Sequence, residues 1–120
     1  PVTPLFQGSA SDEFLSDFFR NREKTYSGFI CADSHRPYMR TTPFGYALNT
    51  GSVGNSLCVT KAHGLLIEGE KDCKEEAPIR ITTLSVPYDN GLAAKIAAEC
   101  EELPMREAYI REVLTGVYAR

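Results

Sequence analysis

Apolar residues recur along this chain in two rhythms: every three to four positions after Ser11 and again after Gly91, and every second position between them. The first rhythm begins at Ser11. Asp12 and Glu13 stand where a helix N-terminus favours anions, Phe14/Phe18 and Leu15/Phe19 are i,i+4 pairs, and Arg20 and Arg22 lie near the other end. The pattern predicts an amphipathic helix whose apolar stripe packs on the domain. Residues 1–8 read as an extended leader. Tyr26, Phe29 and Ile30, leading into Cys31, have the composition of a strand. Ser34 can cap a helix, but Pro37 and Pro43 leave room only for a short or kinked one ending near Leu48.

The run from Gly45 to Ser56, GYALNTGSVGNS, is where helix-like sequence gives way to strand-like sequence. Asn49 and Gly51 suit left-handed backbone, Val53 opens extended structure, and Gly51 and Gly54 mark turns. Beyond it, 56–61, 64–67 and 78–86 read as strands, the last alternating Ile79, Ile81 and Thr83 with Arg80, Thr82 and Leu84. A Lys- and Glu-rich loop separates the last two, and PYDNG over 87–91 is a turn. Leu92, Ile96, Cys100 and Leu103 then fall at helical spacing, with Asp89 or Asn90 to cap the start and Pro104 to end it. Residues 105–120 have helix propensity.

At 120 residues and 42% apolar content the chain makes one domain with a modest core. The net charge is -3 and the pI about 5.4, so the broad basic surface of a non-specific nucleic-acid binder is absent. No apolar run approaches the roughly 20 residues of a membrane helix, and the chain reads as soluble. Cys31, Cys58, Cys73 and Cys100 are even in number and lack the C-x-x-C pairs of a zinc or redox site, so no metal and no cofactor is expected. Two disulfides in an oxidising compartment are preferred over four buried thiols. Three connectivities are possible. Cys58 with Cys73 and Cys31 with Cys100 are favoured on loop closure, worth about 3 and 4 kcal/mol in the chain-entropy model. PVTPL reads as the start of a mature chain after signal removal, or of a trimmed one.

Four segments, in order, resemble the fungal guanyl-specific ribonucleases. They are the aromatic strand into Cys31; Gly45-Tyr46-Ala47-Leu48 followed by Gly51, Val53, Gly54, Asn55 and Ser56; Glu76-Ala77-Pro78-Ile79; and Arg106 ten residues ahead of Gly116-Val117-Tyr118-Ala119-Arg120. The resemblance covers about three quarters of the chain. It implies an α+β, ribonuclease-like fold, an antiparallel sheet packed against one central helix, over residues 26–120. Residues 1–25 then form an N-terminal extension with the extra helix. It also argues for two strands, 106–110 and 113–119, where propensity alone reads a helix, and the strands are preferred here.

Catalysis in that family needs a carboxylate base, a histidine acid and groups that stabilise the phosphorane. By position Glu76 matches the base and Arg106 the phosphate-binding arginine. Arg120 stands where the family has its acid, and a guanidinium cannot donate a proton near neutral pH. Leu57 and Val59 replace another tyrosine and histidine, and His63 fills the histidine's place only with a short insertion. No intact catalytic set is therefore expected, Glu76, Arg106 and His63 being vestigial. Glu76 and Arg106 read equally well as solvated charges, and His35 reads as a solvated surface residue.

A ribonuclease scaffold without its acid is similar to the secreted ribonuclease-like effectors of plant-pathogenic fungi of the powdery mildew type. The resemblance implies a monomeric pseudoenzyme, secreted and translocated into host plant cells. It would bind host proteins there, with weak RNA or partner contact through Arg80, Arg106 and Arg120, and be open to detection as an avirulence protein by an intracellular immune receptor. The alternative is an active, guanyl-preferring secreted endoribonuclease. A protease inhibitor or cell-wall protein fits the size and cysteines but leaves the four ordered matches unexplained.

Overall fold

The computed structural model describes residues 10–21, 24–75 and 77–120. The first rhythm yields a shorter helix than the pattern predicts: α1 (Asp12–Ser16) passes into a 3-10 turn over Asp17–Phe19. Ser11 caps α1, its hydroxyl accepting from the Phe14 amide at 3.2 Å. Arg40 pairs with Asp12 and donates to the Ala10 carbonyl, tying this segment to the sheet. The Leu15/Phe19 pair is fully buried, and with Ala10 and Ala47 it forms the main core cluster, covered by Phe29 and Tyr38. Phe19 meets Phe29 edge to face with ring centroids 5.1 Å apart. The N-terminal segment thus supplies three of the four residues of this cluster.

A two-residue ribbon, β1 (Arg20–Asn21) with β2 (Lys24–Thr25), leads to a three-stranded sheet. In it β3 (Gly28–Cys31) runs parallel to β5 (Gly45–Asn49), and β4 (Tyr38–Thr42) antiparallel to it, in the order β3-β5-β4. The helix expected between Ser34 and Leu48 is therefore a β-hairpin. Tyr38, Thr41, Thr42 and Tyr46 are strand formers, and Pro43 with Phe44 makes the turn, where the Thr42 hydroxyl accepts from the Phe44 amide at 3.1 Å. Ala47, Leu48 and Asn49 are all buried, as befits the central strand. Among the described residues, what packs on this sheet is the short α1 with its 3-10 turn rather than a central helix.

The pivotal run after β5 is held by polar bonds. Asn49 donates to the Ala32 carbonyl at 2.6 Å and accepts from the Gly51 amide at 2.8 Å, with Gly51 in left-handed backbone. Tyr88 and Tyr109 each donate to the Gly54 carbonyl at 3.3 Å. The strand predicted over 56–61 is a series of bends. β6 (Ala62–Gly69) and β7 (Ile79–Val86) do form as the alternation predicts, as one antiparallel hairpin.

α2 (Asn90–Glu99) is capped by Asp89, which accepts from the Leu92 amide at 2.8 Å. Its buried face is Ala94 and Ala97, whereas Leu92 and Ile96 of the predicted stripe are more than half exposed. The small side chains let α3 (Arg106–Thr115) approach, with Val113 buried alongside. The two strands preferred for 106–110 and 113–119 are thus not formed. Helix propensity prevails, and Gly116, in left-handed backbone, ends the helix by donating to the Glu112 carbonyl at 2.7 Å. The molecule is mixed α and β, with small, mostly antiparallel sheets and three helices among the described residues.

All four cysteines are free thiols, so neither favoured pairing is present. Cys31 is committed inside the sheet, its Sγ 3.2 Å from the Leu48 carbonyl and 3.6 Å from the Tyr38 hydroxyl, while Cys58, Cys73 and Cys100 are exposed. Burial, then the Cys31 contact, holds the Tyr38 hydroxyl well above its ordinary pKa.

Candidate functional site

Of the residues singled out for catalysis, His63 lies on β6 and Arg106 on α3. Glu76 lies outside the described residues. His63 sits at the start of β6, its Nδ1 2.9 Å from the Ser56 hydroxyl oxygen. Ser56 gives its single proton to the Ser52 carbonyl at 2.7 Å, so it accepts from His63, whose Nδ1 carries the proton. That histidine staples the hairpin base to the pivotal run, reinforced by its own amide donating to the Ser52 carbonyl at 2.9 Å. Arg80 is on β7 opposite Glu68, in a shallow hollow shared with Ile79 and Pro78.

Arg106 and Arg120 do come together. Both line an open groove of about 650 Å³ along α3, with Arg111, Glu101 and Glu107. Arg106 opens α3 and reaches the Cys100 carbonyl at a long 3.4 Å. Arg111, which carries no signal in the sequence, makes no ion pair with any described residue. Three guanidinium groups and two carboxylates in one groove suit contact with a mixed-charge surface.

Arg120 also has a structural task. Its Nε donates to Glu112 Oε2 at 3.1 Å, and the Glu112 side chain is only 1% exposed. The Ala119 amide donates to Oε1 at 3.0 Å and the Asn55 amide to Oε2 at 2.8 Å. Burial pushes the Glu112 carboxyl up, but the Ala119, Asn55 and Arg120 donors together outweigh it and hold the group below the usual carboxylate range. The carboxylate is ionised and held by three donors, the opposite of a poised general acid or base. Sequence reasoning misses Glu112 because a charge on an amphipathic helix reads as solvated; its position one turn before Gly116, facing the returning tail, is visible only in three dimensions.

His35, expected to be solvated, is half-buried, with Nδ1 3.0 Å from the Asn55 carbonyl. Asn55 therefore links His35 to Glu112, while its own Oδ1 is buried with no partner among the described residues. Among the described residues no cluster of His, Cys, Asp or Glu could hold a metal ion, and no helix is long and apolar enough to cross a membrane. No protein family, no curated protein and no solved structure matches this chain.

Proposed function

We propose that the chain is a binding protein without nuclease turnover, of the kind the resemblance to ribonuclease-like secreted fungal effectors implies: delivered into host plant cells, where it engages host proteins. The observation that carries the non-enzymatic half is Arg120. At the position matching the family's acid stands a guanidinium already committed to a buried carboxylate, and neither it nor Glu112 can exchange a proton during turnover near neutral pH. His63 and Arg106 are likewise tied to Ser56 and the Cys100 carbonyl. The ribonuclease-like fold and the effector setting rest on the four ordered sequence matches. The hairpin at 38–49 and the helix at 106–115 depart from what those matches imply.

Cleavage of a guanosine-containing dinucleotide by the full chain tests the reading, with Glu76→Gln as the control. No turnover from folded protein is expected. Turnover that Glu76→Gln abolishes would overturn it and establish a guanyl-preferring endoribonuclease. Secretion is part of the same proposal and is tested by detection of the protein in host tissue outside the fungus; retention in fungal cells would remove it.

A further inference from the structure

Between the 33–36 loop and the returning C-terminal segment lies a cavity of about 360 Å³, lined by Asp33, His35, Arg36, Glu112, Tyr118 and Arg120 among others. That volume is about a dozen water molecules at ~30 Å³ each. Two wall residues are held in left-handed backbone although neither is glycine: Asp33 at φ 56° and His35 at φ 55°. Such strain persists only where the surroundings over-determine it. Here the Leu57 amide donates to the His35 carbonyl at 2.9 Å and Asn49 donates to the Ser34 hydroxyl at 3.2 Å.

The side chains follow from that backbone. The Asn55 carbonyl can only accept, so His35 Nδ1 carries a proton and Nε2 is left free of any described partner. Glu112 spends its charge on three donors, Asn55, Ala119 and Arg120. It grips Arg120 by Nε alone, leaving both terminal Nη groups without a hydrogen bond to any described residue. The Arg36 guanidinium and the Tyr118 hydroxyl are also uncommitted among the described residues. Against these donors stands one free carboxylate, Asp33.

We propose that this cavity binds a phosphate group, either the free ion or the terminal phosphate of a small monoester. Arg120, fixed in direction by Glu112, and Arg36 take its oxygens in the forked geometry that guanidinium groups favour. The Tyr118 hydroxyl donates to a further oxygen, His35 Nε2 accepts from the phosphate's own hydroxyl, and Asp33 limits affinity by repulsion. The site is independent of whether the chain cleaves RNA.

The test is titration of the full chain with inorganic phosphate and, separately, with phosphoserine, followed by amide chemical shifts. Saturable shifts confined to 33–36, 55 and 117–120 are expected for at least one probe, and the probe that binds more tightly identifies free ion or monoester. Arg36→Ala should weaken binding about tenfold, the loss of one charge-assisted contact, and Asp33→Asn should strengthen it. Both residues are exposed and outside the Glu112 network, so folding is preserved. Absence of saturation at millimolar concentrations of both probes overturns the proposal, as does binding indifferent to both substitutions.

Discussion

The Arg120 guanidinium lies 3.1 Å from a Glu112 carboxylate that is only 1% exposed. A buried charge with three donors is stabilising only while all three are present, since each orphaned donor or acceptor costs its full desolvation. The pair therefore fixes the chain's last residues against α3 and the 51–56 run.

Glu112→Gln should lower stability by on the order of 1–3 kcal/mol, read as a fall in the urea midpoint at unchanged slope. The pH dependence has a definite sign. Because the folded carboxyl is held below its ordinary value, its contribution is fully present above the unfolded value of about 4.3 and is lost as pH falls through the folded one. Wild type should lose stability below about pH 4.3, and Glu112→Gln should flatten that part of the profile. A variant as acid-sensitive as wild type would place the acid lability elsewhere.

Arg120→His restores the side chain that the resemblance calls for at that position. If Arg120 serves the buried carboxylate, the substitution should cost stability on the order of 1 kcal/mol, tempered by the solvent reaching the arginine. It should bring no dinucleotide cleavage. Measurable turnover in Arg120→His, lost again with Glu76→Gln, would mean that an otherwise complete nuclease site is present.

Residues whose roles depend on local chemistry are legible in the sequence. Leu15 and Phe19 read as one stripe and are buried together, Ile79 to Val86 alternates and is a strand, and Asp89 caps the helix after it. Residues whose roles depend on what packs against them are not. The stripe of α2 reads from Leu92 and Ile96, yet the packed face is Ala94 and Ala97, because a close helix pair needs small side chains. Two segments depart from expectation for opposite reasons. At 38–49 a helix reading neglects the Tyr and Thr content and the Pro43 turn; at 106–115 a family comparison displaces a propensity that the chain obeys. Of the candidate site, Arg106 and Arg120 are named from the sequence and share one groove, but Glu112, Asn55 and His35 depend on bonds spanning up to 57 residues.

Gly45 and Gly64 give a matched pair of substitutions. At Gly45, with φ 136°, a Cβ would collide with the Ser27 carbonyl oxygen and stand 3.0 Å from the Phe19 ring; at Gly64 it would meet nothing within 4 Å. Gly45→Ala should therefore cost on the order of 3 kcal/mol or more through strain and backbone displacement. Gly64→Ala should be neutral or slightly stabilising, since it removes unfolded-state freedom. Thermal melts of the two variants make the comparison, and an equal effect would remove Gly45 as the point where β3 and β5 are forced together.

The β6–β7 hairpin packs chiefly on itself. Its eight-residue strands pair along their full length, yet Leu66, Ile67, Ile79, Leu84 and Val86 are each more than two fifths exposed. A two-stranded ribbon is marginal in water without a third strand or a covering helix. Its firm attachment is at one end, where His63 meets Ser56 and Ser52. Opening should therefore begin at the distal end, near Gly69 and Ile79, and run toward that staple. Hydrogen exchange should show amides at 66–69 and 79–82 exchanging faster than those of β5, whose Ala47 and Leu48 are buried between two neighbours. His63→Ala should then spread fast exchange to 62–65 and 83–86. Protection of the distal end equal to that of β5 would mean that the ribbon's apolar faces are covered in solution, and a rise in apparent mass with concentration would identify a second copy as the cover.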